Sequence, residues 1–232
     1  MRRTHSCVRR ATNVDHEALL HDIMSARENI PDDDQIEKVK AGVFLEFGLF
    51  PYMLLYTGMR RGELLALRWE DIDREKKVIH INKAVYFAKN TPKIKEPKTE
   101  SGKREMVLLD ALAAVLPKGG NGYVFGGEKL LTKTQVRKRW LKWCREAGLA
   151  EGQRCTITPH QLRHEFATTL FDAGVDVKVA QELLGHSSIQ VTRDIYTHIR
   201  RSRMESTAET LNKFLSGDLC KDNVIEFAQA GR

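Results

Sequence analysis

A chain of 232 residues is long enough for one sizeable domain with arms, or for two small domains, and buries a core without disulfide or metal staples. Its 38 Lys and Arg against 31 Asp and Glu give a formal charge of +7 and a pI near 9.2, which favours polyanion partners, nucleic acid ahead of a membrane surface. The N-terminus MRRTHSCVRR is basic but no apolar run follows it, so neither a signal peptide nor a membrane span is expected, and a cytoplasmic protein is. Cys7, Cys144, Cys155 and Cys220 stand far apart without a CxxC pair, which predicts reduced thiols and neither a disulfide framework nor a zinc knuckle.

Ala18, Leu19, Ile23 and Met24 recur at helical spacing within residues 13–29. Pro31, followed by Asp32, Asp33 and Asp34, ends that helix and can cap the next. An apolar segment then runs to Tyr56, and Pro51 within it predicts a kink or two consecutive helices, with Gly58 closing the second. A further helix carries Glu63 to Leu67. Residues 77–85, 93–99 and 104–109 are short and rich in β-branched or alternating residues, and the turn-like ESGK separates the last two; a small three-stranded antiparallel sheet is predicted. GGNGYVFGG at 119–127 lacks the GKS or GKT ending of a phosphate-cradling loop and reads as a connection.

Thr132 and Gln135 have the spacing of a capping box, and Val136, Trp140, Cys144 and Ala147 form the apolar stripe of a helix ending at Gly148. Arg137, Lys138, Arg139, Lys142 and Arg145 crowd its other faces. A solvated face is the ordinary meaning of such a run, but no acid lies between Thr132 and Arg145, and that favours phosphate contact. The next helix is marked by Thr158 as cap, Pro159 at its first position and Gly174 after its end. At about 100° per residue, Leu162, Phe166, Leu170 and Ala173 make its core stripe. His160, Arg163 and, less clearly, His164 turn away from that stripe within the first turns, where free backbone donors favour anions. His160 and His164 have the spacing of a zinc hydrolase HExxH, but the general-base position is Gln161, which argues against metal; surface histidines or a fixed His and Arg anion site remain. The whole reads as an α+β chain, mainly helical, with a minor sheet near its middle.

Four segments stand in a recognisable order: TGMRRGELLALRW at 57–69, PKTESGKR at 97–104, HQLRH at 160–164 and LLGHSSIQVTRDIYTH at 183–198. Together they resemble the catalytic domain of tyrosine recombinases, the phage integrase family, from about residue 15 to 215. The resemblance implies a site-specific recombinase or integrase that cleaves and rejoins double-stranded DNA, for integration or excision of a phage or transposon. It implies no metal, no ATP and no other cofactor.

By the same resemblance Tyr196 is the nucleophile that forms a 3′-phosphotyrosyl link and releases a 5′-hydroxyl. A free tyrosine has a pKa of about 10, so cationic surroundings have to favour the phenolate. Arg60 and Arg163 match the pair that clamps the non-bridging phosphate oxygens; Arg60 is preferred to Arg61 because it directly follows TGM. Lys98 matches the general acid for the 5′-oxygen, with Lys103 the alternative. His160 corresponds to the histidine of proton transfer and phosphate binding, and His186 to the second histidine that donates to a phosphate oxygen. Glu63 corresponds to an acidic residue that steadies the site, or is a plain helix-pair salt bridge with Arg60. His164 and His198 are read as structural or DNA-adjacent. Nine residues separate His186 from Tyr196, one more than in many members.

Members of the family usually carry an N-terminal helical domain that clamps the far side of the DNA. Here residues 1–14, with Arg2, Arg3, Arg9 and Arg10, read as a basic arm left from a linker, 15–215 as the catalytic domain and 216–232 as a tail. Met204, Ala208, Leu211 and Leu215, at helical spacing within 202–215, resemble the terminal helix that members dock onto a neighbouring subunit in a tetrameric synapse; an internal core helix is the alternative. Competing readings are a catalytically silent DNA-binding remnant, a type IB topoisomerase and, last, a zinc hydrolase.

Overall fold

The computed structural model describes residues 31–96, 103–186 and 188–215. The arm at 1–14, the helix expected within 13–29 and the tail at 216–232 lie outside them.

Helix α1 (Asp33–Ala41) starts where the aspartate run predicts: Asp32 accepts the Gln35 N–H at 2.7 Å and its own N–H donates to the Gln35 side chain at 3.1 Å. A 3-10 turn (Gly42–Phe44) follows, then α2 (Leu49–Thr57). There are two helical pieces, but the break falls at 45–48, where Phe47 takes a φ of 68°, and not at Pro51. Pro51 is third in α2, a position whose N–H has no partner within the helix in any case, so the ring costs nothing there. Helix α3 (Arg61–Ala66) ends one residue short of the expected Leu67, which caps it.

Strands β1 (Ile72–Asp73), β2 (Val78–Ile81) and β5 (Arg104–Val107) form an antiparallel sheet in the order β1-β2-β5, whereas β3 (Ala84–Ala88) and β4 (Thr91–Lys95) make a separate hairpin. The sheet is therefore three-stranded as expected but differently composed. The single strand expected at 77–85 divides, because Asn82 is exposed and Lys83 pairs with Asp71 at 3.1 Å, which draws the chain off the sheet after Ile79 and Ile81 have entered the core. The next segment folds back on β3, with Ala84 opposite Lys95 and Ala88 opposite Thr91, instead of forward onto β5. A two-residue turn with Lys89 at φ 57° selects that local pairing.

The rest is helical, apart from a short hairpin of β6 (Ala150–Glu151) and β7 (Arg154–Cys155): α4 (Asp110–Val115), α5 (Lys133–Glu146), α6 (Pro159–Asp172), α7 (Val177–Leu184) and α8 (Ile189–Leu215). The capping box predicted for α5 is present, Thr132 with Gln135, and Thr158, the predicted cap of α6, also forms one with Gln161. Leu162, Phe166 and Leu170 are buried as predicted; Ala173 caps α6 and is exposed. The buried stripe of α5 includes Trp143, whose indole donates to the Gly42 carbonyl at 3.2 Å. The loop at 119–127 is a connection, tied down by Val124 N–H to Leu67 O at 2.9 Å and Trp69 N–H to Gly122 O at 3.1 Å.

Cys144 is buried and Cys155 half-buried, both free thiols. Among the described residues no helix is long and apolar enough to cross a membrane, and no His, Cys, Asp and Glu cluster could hold a metal ion. The core-helix alternative for 202–215 is overturned: Met204, Ala208, Leu211 and Leu215 are exposed on α8, Leu215 to 78%.

Candidate active site

The site is assembled around the bend between α2 and α3. Gly58 takes a φ of 58° there, and a Cβ on it would lie 2.3 Å from the Phe166 ring, so α6 packs directly against bare backbone. That contact turns the Gly58 carbonyl towards α6, where the Arg163 Nη1 donates to it. Arg163 also donates through Nη2 to Leu184 O at 2.6 Å. Arg163, expected to turn away from the apolar stripe of α6, is nonetheless buried: only 7% of it is exposed. On the helical wheel it borders the apolar stripe, and carbonyls from two other elements satisfy it once the stripe is buried. Burial first, then the charge of Arg60, pushes its pKa down to about 9, with Glu63 opposing; the guanidinium is still protonated at neutral pH.

Arg60 precedes α3. Its backbone N–H donates to Glu63 Oε2 at 2.8 Å, its Nη1 to Glu63 Oε1 at 2.8 Å and its Nη2 to Gly185 O at 2.6 Å. Glu63 therefore does more than pair along a helix. It accepts from Arg104 as well, a residue that sequence reasoning missed: Nη1 at 3.1 Å, Nη2 at 2.8 Å, with Arg104 Nε donating to Leu183 O at 2.9 Å. One signal could have found it. Arg104 alternates with the buried Met106 along β5 and so shares its inward face. Burial pushes the Glu63 carboxyl up, but the bonds and charges of Arg104 and Arg60 outweigh it and hold the pKa at about 2.

His186 follows α7, its Nδ1 lying 2.9 Å from Thr192 Oγ1. Burial, then the charges of Arg163, Arg60 and Arg104, depress its pKa to about 3, so the ring is neutral. If Nδ1 accepts from the hydroxyl, the proton sits on Nε2, the tautomer able to donate to a phosphate oxygen.

Arg60, Arg61, His160 and Arg163 line one cleft of about 620 Å³ with Met59, Gly62, Thr158 and Pro159. Arg61 is part of its wall, but it is Arg60 that is locked to Glu63 and Gly185. A second cleft of about 660 Å³ holds Lys103, Arg104, Gly185 and His186. Lys98 lies outside the described residues, as do the side chain of His198 and most of the turn ESGK; His164 is half-buried on α6.

Tyr196 is not joined to the arginines. Its hydroxyl donates to Val175 O at 3.4 Å, in the corner between α6 and α7, and its ring meets Phe171 edge-on at 5.1 Å. Burial and then the charge of Asp176 hold its phenol above the usual range.

The five basic residues of α5 are elsewhere too. Arg137 and Lys138 are exposed, Arg139 donates to Phe125 O at 3.2 Å, and Arg145 donates to the Gln153 side chain at 2.5 Å. Lys142 pairs with Glu46, so the acid missing from the helix comes in part from before α2.

Solved structures define the class. The Tn1549 transposon integrase (residues 82–397) in complex with circular intermediate DNA matches with a TM-score of 0.59 at 24% identity, over 76% of this chain and 66% of that one. The XerH site-specific recombinase bound to palindromic difH substrate matches at 0.54 and 25% identity, over 79% and 53%. The catalytic domain of bacteriophage HP1 integrase matches at 0.51 and 22% identity, over 87% and 99%. The fold is that of tyrosine recombinase catalytic domains.

The chain belongs to the phage integrase family, whose model matches residues 45–203. The tyrosine recombinase XerC-like protein of Caldanaerobacter subterraneus is 31% identical over 211 residues, 78% of this chain and 53% of that protein. XerA of Pyrococcus furiosus is 33% identical over 169 residues, 69% and 53%, and the ICEBs1 integrase of Bacillus subtilis 26% over 188 residues, 74% and 50%. The chain spans about half the length of these relatives.

Proposed function

We propose that this chain is a DNA strand transferase that cleaves and rejoins duplex DNA through a 3′-phosphotyrosyl link to Tyr196, serving the integration or excision of a mobile element. The observation that carries this reading is the meeting of Arg60, Arg163 and His160 in one cleft, with both guanidinium groups fixed by backbone carbonyls. Each guanidinium has five N–H donors and commits two in these bonds, which leaves donors for the non-bridging oxygens of a phosphate.

In the reaction the Tyr196 oxygen attacks phosphorus, its proton passing to His160. The bond to the 5′-oxygen breaks, and that oxygen takes a proton from Lys98 or Lys103. One phosphodiester replaces another, so rejoining by a 5′-hydroxyl requires no nucleotide hydrolysis. The two arginines offset the charge that grows on the equatorial oxygens, and the neutral His186 stabilises it by donating a hydrogen bond. Duplex DNA is the partner that fits the +7 charge and the exposed Arg137 and Lys138 of α5, and DNA is present with the Tn1549 integrase and XerH. The apolar residues exposed along α8 suit docking onto another copy of the chain when several assemble on DNA.

The test uses a nicked duplex that traps the covalent complex, a denaturing gel, and native protein beside Tyr196→Phe, with and without chelator. An adduct that survives chelator and disappears in Tyr196→Phe is expected. Native protein that shifts the DNA in a native gel but never becomes linked to it overturns the proposal in favour of a silent DNA-binding remnant.

A further inference from the structure

Glu63 is bonded more heavily than its place beside Arg60 requires. Its two oxygens accept four N–H bonds, two from Arg60 and two from Arg104. Arg104 forks across both oxygens from within the protein, its side chain 6% exposed, whereas Arg60 reaches the carboxylate with a single Nη and its side chain stays 45% exposed. The end of α7 repeats the pattern. Three successive carbonyls, Leu183, Leu184 and Gly185, accept from Arg104, Arg163 and Arg60 in turn. These are the unsatisfied carbonyls of a helix C-terminus, which attract cations. Gly185 closes over the Arg104 guanidinium so tightly that a Cβ there would lie 2.6 Å from Nη1.

We infer that Arg104 is a positioning residue for strand transfer: it neutralises Glu63 and anchors the end of α7, so that Arg60 keeps its charge and outer donors for the phosphate. It also fixes the start of β5, where its chain neighbour Lys103 opens onto the cleft of His186. The inference rests on the strand-transfer reading. Without Arg104 the carboxylate of Glu63 would have two recourses, to draw Arg60 inwards or to take a proton, and either weakens the grip on phosphate. The groups facing Glu63 are Arg60 before α3, Arg104 on β5, Arg163 on α6 and the neutral His186 after α7. Arg104 ranks ahead of Arg60 in keeping the carboxyl ionised, in agreement with the bonding.

The experiment compares the full chain with Arg104→Met and Arg104→Lys. In Arg104→Met the rate of adduct formation on a trapping duplex is expected to fall on the order of 10²-fold, the cost of a misplaced phosphate clamp. DNA affinity and its salt dependence should stay unchanged, since all three guanidinium nitrogens of Arg104 are bonded to Glu63 and Leu183 and its charge is already offset by the carboxylate. The rate profile gains an acid limb absent from the native protein, and Arg104→Lys recovers part of the rate. Carbon-13 NMR of the Glu63 carboxyl in DNA-free protein gives an independent reading: ionised down to about pH 2 in the native chain, and titrating above its ordinary 4.5 in Arg104→Met. A folded Arg104→Met with the native rate, a flat profile and an unshifted carboxyl overturns the inference. Should the native chain form no adduct, the strand-transfer reading fails by itself, and the carboxyl titration still decides whether Arg104 is the counter-ion. If Arg104→Met does not fold, Glu63→Gln/Arg104→Met removes the stranded carboxylate: a rate within about tenfold of Glu63→Gln alone supports the inference, because Arg104 acts through that carboxylate, and a further fall on the order of 10²-fold overturns it.

Discussion

The Tyr196 hydroxyl donates to the carbonyl of Val175 at 3.4 Å, a bond that the proposed nucleophile must give up to attack a phosphate. A single such bond contributes on the order of 1 kcal/mol, so binding of DNA can supply the release. Tyr196→Phe is therefore expected to lose no more than about 1 kcal/mol of stability in urea unfolding while forming no adduct at all. A loss of several kcal/mol would make Tyr196 a structural residue first.

Glu63 predicts a stability that depends on acid. Its folded pKa of about 2 lies below its ordinary 4.5, so the stabilisation is complete above 4.5 and is lost as pH falls from 4.5 towards 2. The depression corresponds to about 3 kcal/mol across that window. Glu63→Gln should flatten this part of the profile, measured by urea unfolding at a series of pH values, and should be less stable than the native chain at neutral pH.

His186 acts in a higher window. Its pKa falls from the ordinary 6.5 to about 3, so protonation disfavours the folded state: stability is full above 6.5 and declines as pH drops towards 3. NMR of the imidazole should show no titration between about pH 5 and 8, the range in which an unperturbed histidine changes charge. Binding a phosphate-bearing duplex should raise its pKa, because the anion offsets the arginines. A His186 that titrates near 6.5 in the free protein would place the ring in solvent.

The left-handed backbone at Gly185 and Gly174 separates two costs. Their φ values are 64° and 70°, but a Cβ at Gly174 meets nothing within 4 Å, while one at Gly185 meets the Arg104 guanidinium. Gly174→Ala should lose about 1 kcal/mol, the conformational cost alone. Gly185→Ala should lose distinctly more and slow adduct formation as well, since Arg104 can yield only by releasing Glu63 or Leu183. Equal losses in the two variants would mean that Arg104 moves aside freely.

Local signals were legible wherever the chemistry is local. Capping boxes begin α1, α5 and α6 where Asp32, Thr132 and Thr158 stand, because a cap and its partner lie three residues apart. Lys89 and Asn90 made a β3–β4 turn in place of the expected pairing of 93–99 with 104–109, since a two-residue reversal brings adjacent segments together at small entropic cost. At the site, Arg60, His160, Arg163, His186 and Tyr196 could be singled out by motif resemblance, each within its own short segment.

What the amino-acid sequence determined by itself was the helical frame, the caps, the basic character and the identity of the residues that could handle a phosphate. The tertiary structure alone decided that Arg163 is buried, that Arg104 and not only Arg60 serves Glu63, that three carbonyls at the end of α7 are shared among three arginines, and that Tyr196 rests on Val175. The reason is physical: a cap is satisfied within one turn of chain, whereas a buried ion is satisfied by whichever polar groups packing brings beside it, and for Arg104 and Glu63 those lie 41 residues apart.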